Sequence, residues 1–99
     1  MRITEQQIQS IRQIVEDTAG REASVRLFGS RLDDAALGGD LDLLVELPSP
    51  VDHPAALAAT LSARISRAVD GRAVDILLLA PNLRRLPIHD IALSQGHRL

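Results

Sequence analysis

The chain has 99 residues and a formal net charge of −2, and its eleven lysine or arginine positions are all arginine. This length predicts a single domain over residues 1–99 with one modest core. Because the chain lacks a basic excess and has one aromatic residue, the composition argues against direct nucleic-acid binding. Without cysteine, a signal peptide or a long apolar run, we expect a cytoplasmic protein with no disulfide and no membrane segment.

The N-terminal part of the chain predicts a helix followed by a strand. Residues 4–17 repeat apolar side chains at helical spacing. Thr4 and Gln7 fit a capping box at the start of this helix, and Gly20 is placed to end it. Residues 23–28 are then rich in strand-forming side chains and predict the first strand.

The middle of the chain predicts a second strand, which is reached through a short helix. Residues 30–37 favour that helix, and two glycines at 38–39 turn the chain into a strand over residues 40–47. Acidic and apolar side chains alternate in this strand, so Asp40 and Asp42 share one face. Because too few residues connect the two strands for a long crossover, we expect them to be antiparallel.

The C-terminal half predicts a helix, a strand and a last helix. Asp52 is placed to cap the second long helix, with Pro54 in its first turn and Asp70 at its end. Residues 73–79 are an apolar run typical of a strand, and residues 87–95 precede a glycine that can stop a helix. The side chains of this last helix that we expect to face inward are Ile88, Ile91 and Ala92.

The predicted elements define the fold class α/β (α+β), with the order αβαβαβα. Since the first two strands are antiparallel and the third strand follows a full helix, the sheet is expected to be small and mixed. The helices are expected to pack on one face of that sheet.

Two carboxylates and a Gly-Ser corner are the strongest functional signals in the sequence. Asp40 and Asp42 repel each other when both are ionised, and Mg²⁺ or Mn²⁺ bound between them would remove that repulsion. Gly29 permits a tight turn and the close approach of a ligand, and Ser30 adds a hydroxyl that can contact a phosphate. The two elements together indicate a metal–nucleotide site.

Asp75 is a third acidic residue in a position that needs an explanation. It lies inside an otherwise apolar strand, where a carboxylate is costly unless it is paired or metal-bound. Two interpretations are open: Asp75 is a further metal ligand, or it lies at an exposed strand end and pairs with Arg72.

Other phosphate-binding and metal-binding motifs are excluded. The Gly-Ser corner lacks the Gly-Lys-Ser/Thr of a P-loop, and the chain has no Gly-x-Gly-x-x-Gly. Residues 33–44 have the length of an EF-hand loop, but the residues where that loop needs oxygen ligands are Ala35, Leu37 and Leu44.

The three histidines of the chain have no spacing typical of metal ligands. We therefore expect them on the surface rather than in a site. They are His53, His89 and His97.

The sequence resembles the DNA polymerase β-like nucleotidyltransferase superfamily in one extended motif. The motif comprises Phe28-Gly29-Ser30-Arg31 and Gly39-Asp40-Leu41-Asp42-Leu43-Leu44-Val45. The family pattern is Gly-Ser, a short spacer, Asp-x-Asp and a third carboxylate on a later strand. Within the superfamily, the chain is similar to the minimal nucleotidyltransferases, small antitoxins that are often paired with HEPN-domain proteins.

The resemblance implies two groups of site residues. The catalytic residues, which would also bind two Mg²⁺ ions, are Asp40, Asp42 and Asp75. The nucleotide-binding residues, with ATP as the substrate, are Gly29, Ser30 and Arg31.

The resemblance further implies transfer of AMP to a hydroxyl of a partner protein, a HEPN-domain toxin for which this chain is the antitoxin. Two alternatives stay open. One is a catalytically idle module that blocks the toxin sterically, and the other is a nucleotidyltransferase that acts on a small molecule. Apolar residues that can contact a partner, at least two of which we expect in the core, are Leu83, Leu86 and Ile88.

Overall fold

The computed structural model describes residues 3–29 and 41–99, which form three helices and four strands. In chain order these are α1 (Glu5–Ala19), β1 (Ser24–Phe28), β2 (Leu41–Glu46), α2 (Pro54–Ala68), β3 (Val74–Leu79), α3 (Pro87–Gln95) and β4 (His97–Arg98). The predicted α/β order is confirmed for these residues, and β4 is an addition. The short helix predicted over residues 30–37 lies outside the described residues.

The four strands form one mixed sheet in the order β3-β2-β1-β4. β1 is antiparallel to β2, as predicted, and to β4, whereas β2 and β3 are parallel. The carboxyl end of β1 therefore meets the amino ends of β2 and β3 at the same end of the sheet.

α1 begins with the predicted capping box. The backbone N–H of Gln7 donates to Thr4 Oγ1 at 3.0 Å, and the backbone N–H of Thr4 donates to Gln7 Oε1 at 2.9 Å. These two bonds satisfy backbone donors that the first turn of a helix leaves free. The helix ends at Gly20, which has a φ of 107°.

The first residues of α2 differ from the prediction. His53 rather than Asp52 occupies the N-cap position, and its side chain makes no capping hydrogen bond. Pro54 is in the first turn, as predicted, because its fixed φ suits that position and its missing N–H is not needed there. The predicted cap on Asp52 is wrong, since the proline ring lets the helix start without a side-chain acceptor.

The main core lies between the sheet and the helices α1 and α2. We call this side of the sheet the closed face. Its strand residues are buried, with Leu41, Leu43 and Val45 of β2 fully inaccessible. The helix residues that cover them are Ile11, Val15, Leu61 and Ile65. Alternation along β2 thus places one continuous apolar stripe beneath two helices.

α3 covers the opposite side of the sheet, which we call the open face. Ala92 packs there with Phe28 and Leu44 in a separate, smaller cluster. The prediction that all helices pack on one face is therefore wrong. So is the inward placement of Ile88 and Ile91, which are 41% and 46% exposed. The small Ala92 lets the helix approach the sheet closely, and the larger isoleucines point away from it.

His89 is buried at the start of α3, contrary to the surface position predicted for it, whereas His53 and His97 are exposed as expected. Its Nδ1 accepts the backbone N–H of Leu86 at 2.9 Å, so the neutral ring carries its proton on Nε2. That Nε2–H donates to the backbone oxygen of Leu78 at 2.9 Å. Two backbone partners therefore satisfy the ring and fix the start of α3 to β3.

Candidate active site

The end of the sheet where β1 stops and β2 and β3 start brings together three predicted site residues. Gly29 follows the last residue of β1, while Asp42 and Asp75 are each the second residue of their strands. This convergence results from strand direction, because β1 runs against β2 and β3 runs with it. Residues far apart in the sequence thus become neighbours.

Asp42 and Asp75 occupy the same level of two adjacent strands. They are direct partners in the parallel register of β2 and β3, so their side chains point to the same face. That face is the open one, since Leu44, two residues after Asp42, packs under α3. Asp42 is half-buried and Asp75 is exposed. A pair of carboxylates on neighbouring strands, open to water, can bind a hard divalent cation.

Gly29 lies directly against the Asp42 side chain. A Cβ at position 29 would overlap a carboxylate oxygen of Asp42 and would lie 3.1 Å from its Cγ. Gly29 also has a φ of 77°, which side chains rarely tolerate. Backbone conformation and space therefore both require glycine, and the backbone of the corner borders the Asp42 carboxylate.

Phe28 packs beneath this arrangement, and the sequence placed it in the first strand and in the family motif without giving it a role in the site. It pairs across β1 and β2 with Asp42 and is buried against Leu44 and Ala92. Its packing fixes the position of the last residue of β1 before the Gly29 corner. A cross-strand pairing of this kind could have been inferred once the two strands were predicted to be antiparallel.

Three predicted site residues, Ser30, Arg31 and Asp40, lie outside the described residues. Within residues 3–29 and 41–99, no group of three histidine, aspartate or glutamate side chains is placed to form a complete metal site. The described donor set is therefore the pair Asp42 and Asp75. Their chemistry fits Mg²⁺ or Mn²⁺, which prefer carboxylate oxygens and retain several waters.

The chain belongs to the nucleotidyltransferase domain family, whose model matches residues 8–93. The match contains the Gly29 corner and both described carboxylates. None of the curated proteins matches this chain. In the described part of the chain, no helix is both long and apolar enough to cross a membrane.

A solved structure with a similar fold comes from the crystal structure of a toxin-antitoxin with AMP-PNP. The two chains superpose with a TM-score of 0.69 at 18% identity, over 97% of this chain and 72% of that chain. At this level of identity the similarity demonstrates a shared fold. It confirms the mixed sheet with helices that the sequence predicted.

Proposed function

We propose that this chain is a Mg²⁺-dependent protein adenylyltransferase that moves AMP from ATP to a hydroxyl group of a partner protein. We further propose that the partner is a HEPN-domain toxin and that this chain is its antitoxin. The observation that supports transfer most directly is the pairing of Asp42 with Asp75 beside Gly29. Membership of the nucleotidyltransferase domain family supplies the reaction class.

The reaction joins the acceptor oxygen to the α-phosphorus of ATP. The bond from that phosphorus to the oxygen bridging to the β-phosphate breaks, and pyrophosphate leaves with the bonding electrons. The hydroxyl proton passes to Asp75 or to water. When bound by Asp40, Asp42 and Asp75, two Mg²⁺ ions would supply charge neutralisation of the triphosphate and acidification of the acceptor hydroxyl.

The protein residues have separate tasks in this proposal. Gly29 leaves room for the triphosphate at the end of β1, and Ser30 and Arg31 contact its phosphate oxygens. Asp42 is half-buried and lies directly beside Gly29, so it is suited to a fixed position. Asp75 is exposed and can reach an acceptor that arrives from solvent. Positioning and charge neutralisation carry most of the catalysis.

A partner protein is the acceptor that suits this chain best. The described residues form the sheet and its covering helices, and in this proposal the acceptor hydroxyl comes from another molecule. The similar fold found in a toxin-antitoxin crystal structure with AMP-PNP supports a protein partner and an adenine nucleotide. Addition of AMP would place a negative charge on a toxin that must bind RNA phosphates, and this charge would oppose RNA binding.

Co-expression with the adjacent reading frame tests the proposal. We expect the intact mass of that partner to increase by whole AMP units with the wild-type chain and to stay unchanged with Asp75→Ala. Ser94→Ala, at an exposed position on α3, is the control that should keep the mass shift. Full protection from the toxin by Asp75→Ala, without a mass shift in any sample, would favour the steric antitoxin.

Calorimetry of ATP tests the metal requirement separately. We expect binding with Mg²⁺ and little binding in EDTA, because the carboxylates repel a triphosphate that carries no cation. Equal affinity for ATP in the two buffers would contradict a metal-dependent site.

A further inference from the structure

The backbone around the two described carboxylates is held in different ways. Asp42 lies on β2, which has a strand on each side, whereas Asp75 lies on β3 at one end of the sheet order. Within the described sheet only one side of β3 takes part in a strand ladder, so the backbone groups on its other side need different partners. The position of Asp75 therefore depends on contacts from outside the sheet.

A serine of α2 makes such a contact next to Asp75. Ser62 Oγ donates to the backbone oxygen of Val74 at 2.6 Å. The preceding carbonyl, at Ala73, points the other way and accepts the backbone N–H of Leu41 at 2.9 Å. The last peptide group before Asp75 is therefore bound by α2 on the side of β3 that does not face β2.

This hydrogen bond acts on the peptide group that leads into Asp75. The carbonyl of Val74 and the N–H and Cα of Asp75 lie in one planar unit, so a donor that holds the carbonyl holds the whole plane. Rotation of that plane would change the direction of the Asp75 side chain, whose register partner is Asp42. The Ser62 hydroxyl thus limits how far Asp75 can move from Asp42.

Ser62 is itself held in place by the main core. Its neighbour Leu61 and the residue Ile65, one turn further along α2, are both fully buried on the closed face. Ser62 is half-buried, and its hydroxyl bonds to β3 and not to a carbonyl of its own helix, as the hydroxyl of a helical serine often does. The core therefore fixes one end of the contact, and Asp75 follows directly after the other end.

We propose that Ser62 is a positioning residue of the candidate active site. Its hydroxyl holds the peptide group between Val74 and Asp75, so that the Asp75 carboxylate stays beside Asp42 and shares a divalent cation with it. This inference rests on the proposed function, since it names the residue that orients one of the proposed metal ligands. Ser62 belongs to α2 on the closed face, so it acts through Asp75 and not by contact with the cation.

Titration with Mn²⁺, followed by the electron paramagnetic resonance signal of the free metal, tests this role without any transfer reaction. We expect Ser62→Ala to weaken Mn²⁺ binding about tenfold, because the loss of a group that orients a metal ligand has effects of that order. Ser62→Thr keeps the hydroxyl and should restore most of the affinity. If Ser62→Ala does not fold, Ser62→Cys replaces it, since a thiol of similar size is a weak donor.

Ser66→Ala is the matched control on the same helix. Ser66 Oγ donates to the backbone oxygen of Arg72 at 2.6 Å, the same length as the Ser62 bond, but three residues before Asp75. Both alanine variants should lower the melting temperature by a similar amount, because each loses one hydrogen bond. Only Ser62→Ala should weaken Mn²⁺ binding. Equal Mn²⁺ affinities of the two variants would show that the Ser62 bond only stabilises the fold, which overturns the inference.

The Asp75→Asn background shows whether Ser62 acts through Asp75. If the Ser62 hydroxyl works by orienting that carboxylate, Ser62→Ala should cause little further loss of Mn²⁺ affinity once the carboxylate is gone. An equal loss in the two backgrounds would contradict a positioning role.

The outcomes also separate this inference from the proposed transfer. A partner mass that never shifts by AMP, together with Mn²⁺ binding that is weakened in Ser62→Ala and kept in Ser66→Ala, would overturn transfer and support the positioning role. An AMP shift and a Mn²⁺ affinity that Ser62→Ala both leaves at the wild-type level would overturn the positioning role and keep transfer. A wild-type chain that does not bind Mn²⁺, with or without AMP-PNP, would overturn both proposals.

Discussion

The two faces of the sheet are built from the same strands but differ in what covers them. On the closed face, α1 and α2 bury a large apolar cluster that includes Leu43. On the open face, a nine-residue helix buries a small cluster around Leu44 and leaves Asp42 and Asp75 beside it. Alternation along β2 therefore separates the residues that stabilise the fold from those that face a ligand.

This division explains how a small protein can keep two carboxylates side by side on one face of its sheet. Apolar burial on the closed face supplies the larger share of stability, since burial of each large aliphatic side chain contributes about 1.5–3 kcal/mol. Substitutions on the two faces should separate stability from ligand binding.

The largest effect is expected from two adjacent leucines that are both fully buried. Leu43→Ala on the closed face should lower the free energy of unfolding by about 3–4 kcal/mol, and Leu44→Ala on the open face by about 2–3 kcal/mol. We expect this difference because the partly exposed neighbours of Leu44 can move into the cavity that the substitution leaves. The side chains packed beneath α1 and α2 cannot move in this way around Leu43. Urea unfolding of both variants measures it. A larger loss for Leu44→Ala would reverse the comparison.

A smaller loss of stability is expected at two glycines of nearly equal conformation. Gly29 and Gly71 have φ values of 77° and 78°, but a Cβ would meet Asp42 at the first and nothing within 4 Å at the second. Alanine at either position should cost about 1–2 kcal/mol from backbone strain. Only Gly29→Ala should also displace the Asp42 carboxylate.

Mg²⁺-dependent ATP binding is the measurement that distinguishes these two glycine variants. Calorimetry should show binding lost in Gly29→Ala and kept in Gly71→Ala, at temperatures where both are folded. Unimpaired binding by Gly29→Ala would show that ATP binding does not depend on the position of the Asp42 carboxylate beside Gly29.

The smallest free-energy effect is expected for the coupling between Asp42 and Asp75. A double-mutant cycle of Asp42→Asn and Asp75→Asn in EDTA should give a repulsive coupling of about 0.5–1 kcal/mol, because exposed like charges interact weakly. The cycle cancels the contacts that each side chain makes separately, so the coupling reports the pair together with any partner that the two share. Mg²⁺ should raise the melting temperature of the wild-type chain more than that of the double variant. Zero coupling would show that the two carboxylates do not share a site.

The elements with long, regular patterns could be predicted from the sequence. The capping box of Thr4 and Gln7, the bounds of α3 and the antiparallel pairing of the first two strands are confirmed. The alternation in residues 41–46 correctly separated the two faces of β2. These features depend on neighbouring residues, which the sequence displays directly.

Features that depend on tertiary neighbours could not be predicted in the same way. A nine-residue helix offers too few positions to define its buried side, and of the three side chains predicted to face inward, Ile88, Ile91 and Ala92, only Ala92 is buried. The expectation that at least two of Leu83, Leu86 and Ile88 lie in the core is wrong, because only Leu83 packs against the main core and the other two are exposed.

His89 and β4 illustrate the same limit in two other ways. Burial of His89 is favourable because the backbone oxygen of Leu78 accepts a hydrogen bond from its Nε2–H. The two-residue strand β4 has no pattern of its own and depends on the edge of β1. At the site, the exact pairing of Asp42 with Asp75 follows from the parallel register, which residue spacing does not specify.

The hydrogen bonds of β3 have a consequence for how other proteins can be recognised. β3 is an edge strand, and its outward carbonyls at Val74 and Leu78 already accept bonds from Ser62 Oγ at 2.6 Å and His89 Nε2 at 2.9 Å. The other edge is β4, which is only two residues long. In the described part of the chain, two of the carbonyls that an incoming strand would use are therefore already occupied, and the second edge offers only two residues. The same bonds oppose edge-to-edge growth of the sheet, which favours association through side-chain surfaces.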